Sequence, residues 1–155
     1  MEKTNLLKKL YLFKDLSEGE IKVIEKATSE KSFGPGDEVF SQGERAKALL
    51  IIQSGSVKIH QLADNGDSVE ITRLGEGSHF GEMSFLDGEP RSASATALEQ
   101  VSILFVDYDK LSEIMIEHPG ISVHFYRQFA QFLCGRLRVT TKDLSFSRSK
   151  ILSHF

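Results

Sequence analysis

Residues with the types and spacing for chemistry concentrate in one run, Gly81-Glu82-Met83-Ser84-Phe85-Leu86-Asp87-Gly88-Glu89-Pro90-Arg91-Ser92-Ala93. Residues 82–86 are long enough for about one helical turn. A helix start presents unpaired amides and partial positive charge, which favour an anion. Gly81 lets a ligand come close to the backbone. Asp87-Gly88 turns the chain, and Arg91 then supplies a planar guanidinium fork suited to a phosphate. Ser92 adds a hydroxyl, and Ala93 is small enough to leave nearby amides accessible. An acid beside an anion trap makes sense if the ligand carries a sugar, because Glu82 can accept from a ribose hydroxyl as acids do in dinucleotide sites. Taken singly, Arg91 reads as a surface arginine paired with Glu89 or Asp87, and Glu82 as a carboxylate facing a helix dipole. Taken together, they point to a nucleotide.

These groups need elements to hold them. Leu6, Leu7, Leu10 and Phe13 fall at helical spacing within residues 5–15, a segment short enough to need packing. Ser17 and Glu20, ahead of Ile21, Val23, Ile24 and Ala27, spell a capping box and predict a helix over 18–29. From Lys31 the texture changes: short apolar or alternating runs at 38–41, 48–53, 56–62 and 68–74 are cut by glycines. Val57-Lys58-Ile59-His60 and Val69-Glu70-Ile71-Thr72 alternate with period two, and Asn65-Gly66 between them predicts a hairpin whose turn residues tolerate positive φ. Strand texture resumes at 93–97 and 101–107. Leu111, Ile114 and Met115 then mark a short helix ended by Pro119-Gly120. A longer helix follows over 121–144, striped by Phe125, Phe129, Phe132, Leu133, Leu137, Thr140 and Leu144. Residues 145–155 have no clear period. The fold class expected is mainly β with flanking helices: a β-barrel or jelly roll (double-stranded β-helix) over 31–107, N-terminal helices over 5–29, and a C-terminal helical lid over 108–144.

Bulk properties narrow the function classes. A chain of 155 residues suits one domain, spanning 1–155. Its net charge of −3, with no clustered Lys or Arg, argues against a nucleic-acid partner. No apolar run approaches the roughly 20 residues that span a bilayer, and residues 1–10 lack a signal-peptide core. The lone Cys134 cannot form an intrachain disulfide and sits in the apolar helix stripe, where it reads as a small buried hydrophobe. The expectation is a cytoplasmic domain without a membrane partner. His60, His79, His118, His124 and His154 are dispersed, with no spacing for a metal site.

Phe80 to Ala93, read as a unit, resembles the phosphate-binding cassette of the cyclic-nucleotide-binding domain family. Gly36-Asp37-Glu38-Val39-Phe40-Ser41-Gln42-Gly43 and Leu50-Ile51-Ile52-Gln53-Ser54-Gly55-Ser56-Val57-Lys58 are similar to its glycine turns, and the resemblance runs over residues 13–144. It implies that Glu82 holds the ribose 2′-hydroxyl and Arg91 the cyclic phosphate. Phe80, Gly81, Met83, Ser84, Ser92 and Ala93 would complete the cradle. On the long helix, Arg136-Leu137-Arg138-Val139-Thr140-Thr141 is similar to a stretch of the bacterial catabolite activators. That likeness would set Thr140 and Thr141 on the adenine edge and Arg136 near Glu82. Threonines on a helix otherwise face solvent or bond a preceding carbonyl. Ser92 in place of a threonine is compatible with cAMP or cGMP; the two threonines favour cAMP.

What the resemblance implies is a non-catalytic cyclic-nucleotide receptor that signals by rearranging its C-terminal helix. The residues after 144 are too few for a helix-turn-helix, so the expectation is a stand-alone domain. A competing class is a protein-interaction module with a nucleotide-free barrel. A cupin-like enzyme would need a His-x-His pair, which the sequence lacks, and an iron–sulfur sensor would need more cysteines. The partner expected beyond the nucleotide is a second copy joined through the C-terminal helix, or an effector protein. An intramolecular lid would use the same apolar stripe, and both readings stay open.

Overall fold

The computed structural model describes residues 2–152. His154 therefore lies outside the described residues. Eight strands form two antiparallel four-stranded sheets. They are β1 (Thr28–Phe33), β2 (Glu38–Phe40), β3 (Ala48–Ser54), β4 (Val57–Leu62), β5 (Ser68–Leu74), β6 (His79–Phe80), β7 (Ser94–Ala97) and β8 (Val101–Asp107). One sheet has the order β1-β8-β3-β6 and the other β2-β7-β4-β5, the jelly-roll arrangement expected of the glycine-cut strands.

Side-chain alternation explains why β3 is apolar throughout. Ala48, Leu50 and Ile52 face the barrel interior with Val57, Ala97, Val101 and Ile103. Leu49 and Ile51 point the other way, with Leu104 and Val106 of β8, into a second core beneath the helices. Both faces of this strand pair are buried, so its alternation is apolar–apolar rather than apolar–polar. On β5, at the edge of the other sheet, Val69 and Ile71 remain exposed.

The helical layer consists of α1 (Lys3–Lys9), a 3-10 turn (Tyr11–Phe13), α2 (Glu18–Glu25), α4 (Tyr108–Glu117) and α5 (Pro119–Leu152); α3 (Glu82–Asp87) lies apart, between β6 and β7. Leu6, Leu7, Phe13, Ile21, Ile24, Leu111 and Phe125 fill the core under it. The capping box at α2 forms as its sequence requires: the Glu20 amide donates to Ser17 Oγ at 3.1 Å, and the Ser17 amide donates to Glu20 Oε1 at 3.0 Å.

Four expectations need correction. Helix α2 stops at Glu25, not 29, because Thr28 already pairs with Val106 to open β1. The β4–β5 hairpin forms, but its turn is longer than Asn65-Gly66 and Gly66 alone takes positive φ; the Gly66 amide donates to Ala63 O, and Asn65 bonds Asp67 with its side chain. Helix α5 begins at Pro119 and runs 34 residues to Leu152, absorbing most of the stretch without a period. Only its start is packed: Ile121, Phe125 and Phe129 are buried, whereas Leu133, Leu137 and Leu144 are exposed, and so is Cys134. A stripe is buried only where something covers it.

Candidate functional site

The cassette folds back on the barrel mouth. Gly81 caps α3 at φ 105°, a region that side chains avoid. A Cβ there would lie 2.7 Å from Arg91 Nη1, 2.9 Å from Ala48 O and 3.1 Å from Tyr108 Oη. The protein's own arginine, tyrosine and backbone thus approach closely enough to demand glycine here. The amides of Glu82, Met83 and Ser84 precede the first residue that can bond back within α3, so they remain available as donors.

A cavity of about 290 Å³ lies against this turn. All eight cassette residues named from sequence, Phe80, Gly81, Glu82, Met83, Ser84, Arg91, Ser92 and Ala93, line it. Phe40, Ile59, Leu74, Thr72 and His79 complete the wall, giving an apolar floor with polar groups at one end.

Arg91 is 8% exposed. Its Nη2 donates to Ala48 O at 2.8 Å, its guanidinium carbon stands 4.6 Å from the centre of the Phe40 ring, and Tyr108 lies alongside. No carboxylate among the described residues pairs with it; the surface pairing with Glu89 or Asp87 is not made. Its hydrogen-bond partners are one carbonyl and one phenol, set against the five donors a guanidinium carries. Tyr108 donates its hydroxyl to Gly81 O, locking the cassette turn to α4. Burial pushes the Tyr108 phenol above its ordinary range, with the Arg91 charge opposing that shift.

Glu82 faces the cavity with its side chain 12% exposed, and its Oε2 lies 3.4 Å from His79 Nδ1. That is a long contact. A buried cation and a loosely held carboxylate thus share one wall, the arrangement needed for a ligand that is anionic at one point and carries hydroxyl donors at another.

Arg136, Thr140 and Thr141 are not brought to this wall. All three are exposed on α5. Arg136 lies with its guanidinium carbon 5.6 Å from the centre of the Phe132 ring, and Thr141 faces a groove along α5 with Cys134, Arg138 and Phe146. Sequence reading missed Tyr108, whose isolated position carries no motif and which only the fold sets beside Arg91; Phe40, within the Gly36–Gly43 run, and His79, just ahead of the cassette, were in view but were not assigned to the site.

Residues 30–118 match the family model of the cyclic nucleotide-binding domain. A CRP-like cAMP-activated global transcriptional regulator of Mycobacterium tuberculosis is 33% identical over 140 residues, covering 90% of this chain and 61% of the relative. A cAMP-dependent protein kinase regulatory subunit of Debaryomyces hansenii is 33% identical over 143 residues, 91% of this chain and 30% of that protein. The chain thus spans 61% of the length of the first of these relatives and 30% of the second. Among solved structures, the N-terminal domain of a transcriptional regulator from Streptomyces coelicolor superposes with a TM-score of 0.78 at 27% identity, covering 90% of this chain and 94% of that one. The regulatory domain of Toxoplasma gondii PKA, solved with cAMP, gives 0.67 at 26% identity, covering 72% and 42%.

Proposed function

This chain belongs to the cyclic nucleotide-binding domain family, and from that premise we propose that it is a non-catalytic receptor that prefers cAMP to cGMP. The observation that carries the reading is Arg91, a guanidinium 8% exposed at the wall of a cavity, with no acidic partner among the described residues. A buried cation in that position is costly until an anion arrives. A cyclic phosphate would supply charge-assisted hydrogen bonds, each contributing about 1.5–3 kcal/mol. Glu82 would accept from the ribose 2′-hydroxyl, the amides of Met83 and Ser84 with Gly81, Ser92 and Ala93 would close the phosphate cradle, and Phe80 would bound the sugar. The base would lie toward Ile59, Thr72 and Leu74.

Closure of α5 over the cavity would bring Thr140 and Thr141 to the adenine edge and Arg136 toward Glu82. The nucleotide would favour that state only to the extent that it binds it more tightly than the open one. The exposed Leu133, Leu137, Leu144 and Phe146 would then be the surface offered to a second copy or an effector.

Calorimetric titration of refolded, ligand-free protein with cAMP and cGMP tests the reading. We expect micromolar or tighter cAMP binding and weaker cGMP binding. Equal affinities would remove the base preference, and no binding of either at millimolar concentration would remove the receptor role.

A further inference from the structure

Tyr11 lies in the 3-10 turn before α2, ahead of residues 30–118 that match the family model. Its ring stacks on Phe132 of α5, with centroids 4.5 Å apart, and meets His79 at 5.3 Å on the other flank. Arg136, one turn beyond Phe132, has its guanidinium over the Phe132 ring. Tyr11 therefore stands between the cavity wall that holds Glu82 and the stretch of α5 that leaves the domain.

Its hydroxyl is the one buried side-chain polar atom without a hydrogen-bond partner among the described residues. Buried hydroxyls are rarely left so, and each needs an explanation. Burial first, then the Glu82 carboxylate, push the phenol upward, while Arg136 opposes them; both charges are within electrostatic reach. Among the described residues, the side-chain contact Glu82 makes is the 3.4 Å one to His79. A donor without an acceptor and a carboxylate held by one long contact thus both neighbour His79, which meets the Tyr11 ring and the Glu82 carboxylate.

We propose that Tyr11 is a positioning residue of the nucleotide site: its hydroxyl donates to Glu82 when a sugar hydroxyl occupies that carboxylate, tying occupancy of the cavity to α5 through Phe132 and Arg136. This rests on the receptor reading, in which Glu82 holds the ribose 2′-hydroxyl. Tyr11 does not line the cavity, so it acts on the ligand through Glu82. The hydrogen bond fixes the carboxylate in the orientation the sugar requires, and the stacked ring passes any displacement to α5.

The test is calorimetric titration of wild type and Tyr11→Phe with cAMP and with 2′-deoxy-cAMP. Phenylalanine keeps the ring packing and removes only the oxygen, so the melting temperature of the ligand-free protein should not fall. We expect Tyr11→Phe to weaken cAMP binding about three- to tenfold, the range of one hydrogen bond, and to leave 2′-deoxy-cAMP binding unchanged. Hydrogen exchange supplies the α5 readout: protection of residues 125–136 induced by cAMP should shrink in the variant. Equal weakening for both nucleotides, or none for either, overturns the proposal, and so does undiminished protection of α5. Wild type that binds neither nucleotide would overturn the receptor reading itself, a distinct outcome.

Discussion

Gly81→Ala puts a single methyl group where three parts of the site converge. At φ 105° any side chain is strained, by about 1–2 kcal/mol on the scale of left-handed backbone. The new Cβ would also sit 2.7 Å from Arg91 Nη1 and 2.9 Å from Ala48 O. Ala48 is fixed in β3 and cannot give, so Arg91 or α3 must move; forced repacking of this kind costs about 1–3 kcal/mol. The total is about 2–5 kcal/mol, which in a domain of this size lowers the melting temperature by roughly 5–20 °C. Gly88→Ala is the matched control, since Gly88 also has positive φ (71°) but its Cβ would meet nothing within 4 Å. Circular-dichroism melts of the two ligand-free variants separate backbone strain from steric conflict. Gly81→Ala should melt well below Gly88→Ala, and its displaced Arg91 should also weaken cAMP binding. If the two variants melt together, the close approach around Gly81 has no energetic weight and the reasoning fails.

Other consequences can be measured on the same protein. Ser17→Ala removes half of the α2 capping box and should cost about 1 kcal/mol, visible as a fall of roughly 2–4 °C in melting temperature. Tyr108 has its phenol raised in the fold, chiefly by burial, so the folded state keeps a proton that the unfolded state releases. Stability from this group is complete below the unfolded phenol value of about 10 and is lost as pH rises from there through the folded value; alkaline urea melts should show that decline. Arg91→Met should deepen the shift, because both the charge and the hydrogen bond by which Arg91 opposes it are gone; tyrosinate absorbance reports this directly. Leu137→Glu on the exposed face of α5 should leave cAMP binding intact and abolish any self-association, read by light scattering with chromatography.

The sequence carried the site better than its surroundings. Glu82 and Arg91 were legible because a carboxylate, a guanidinium and the turn-making glycines occur in one continuous run, so proximity in space follows from proximity in the chain. Tyr108 and Tyr11 were not, because their positions next to Arg91 and Glu82 come from long-range packing. Strand β1 was hidden because its Ser29, Glu30, Lys31 and Ser32 are all exposed, and it lies at the edge of its sheet, paired with β8. Strand β6 has two residues, too few for any period. The Cys134 expectation assumed that an apolar stripe is covered along its whole length; α5 outruns the domain it packs on, and beyond Phe132 no described residue covers the stripe.

The most direct test of the central claim compares wild type with Arg91→Met by calorimetric titration of refolded, ligand-free protein with cAMP. Methionine fills much of the same volume without charge, so the ligand-free fold should survive with its melting temperature changed by only a few degrees. Binding should weaken by at least on the order of a hundredfold, as expected when one partner of a buried, hydrogen-bonded charge pair is lost. Cyclic AMP that binds wild type and Arg91→Met with the same affinity would contradict the assignment of Arg91 to the phosphate, and with it the account of the site.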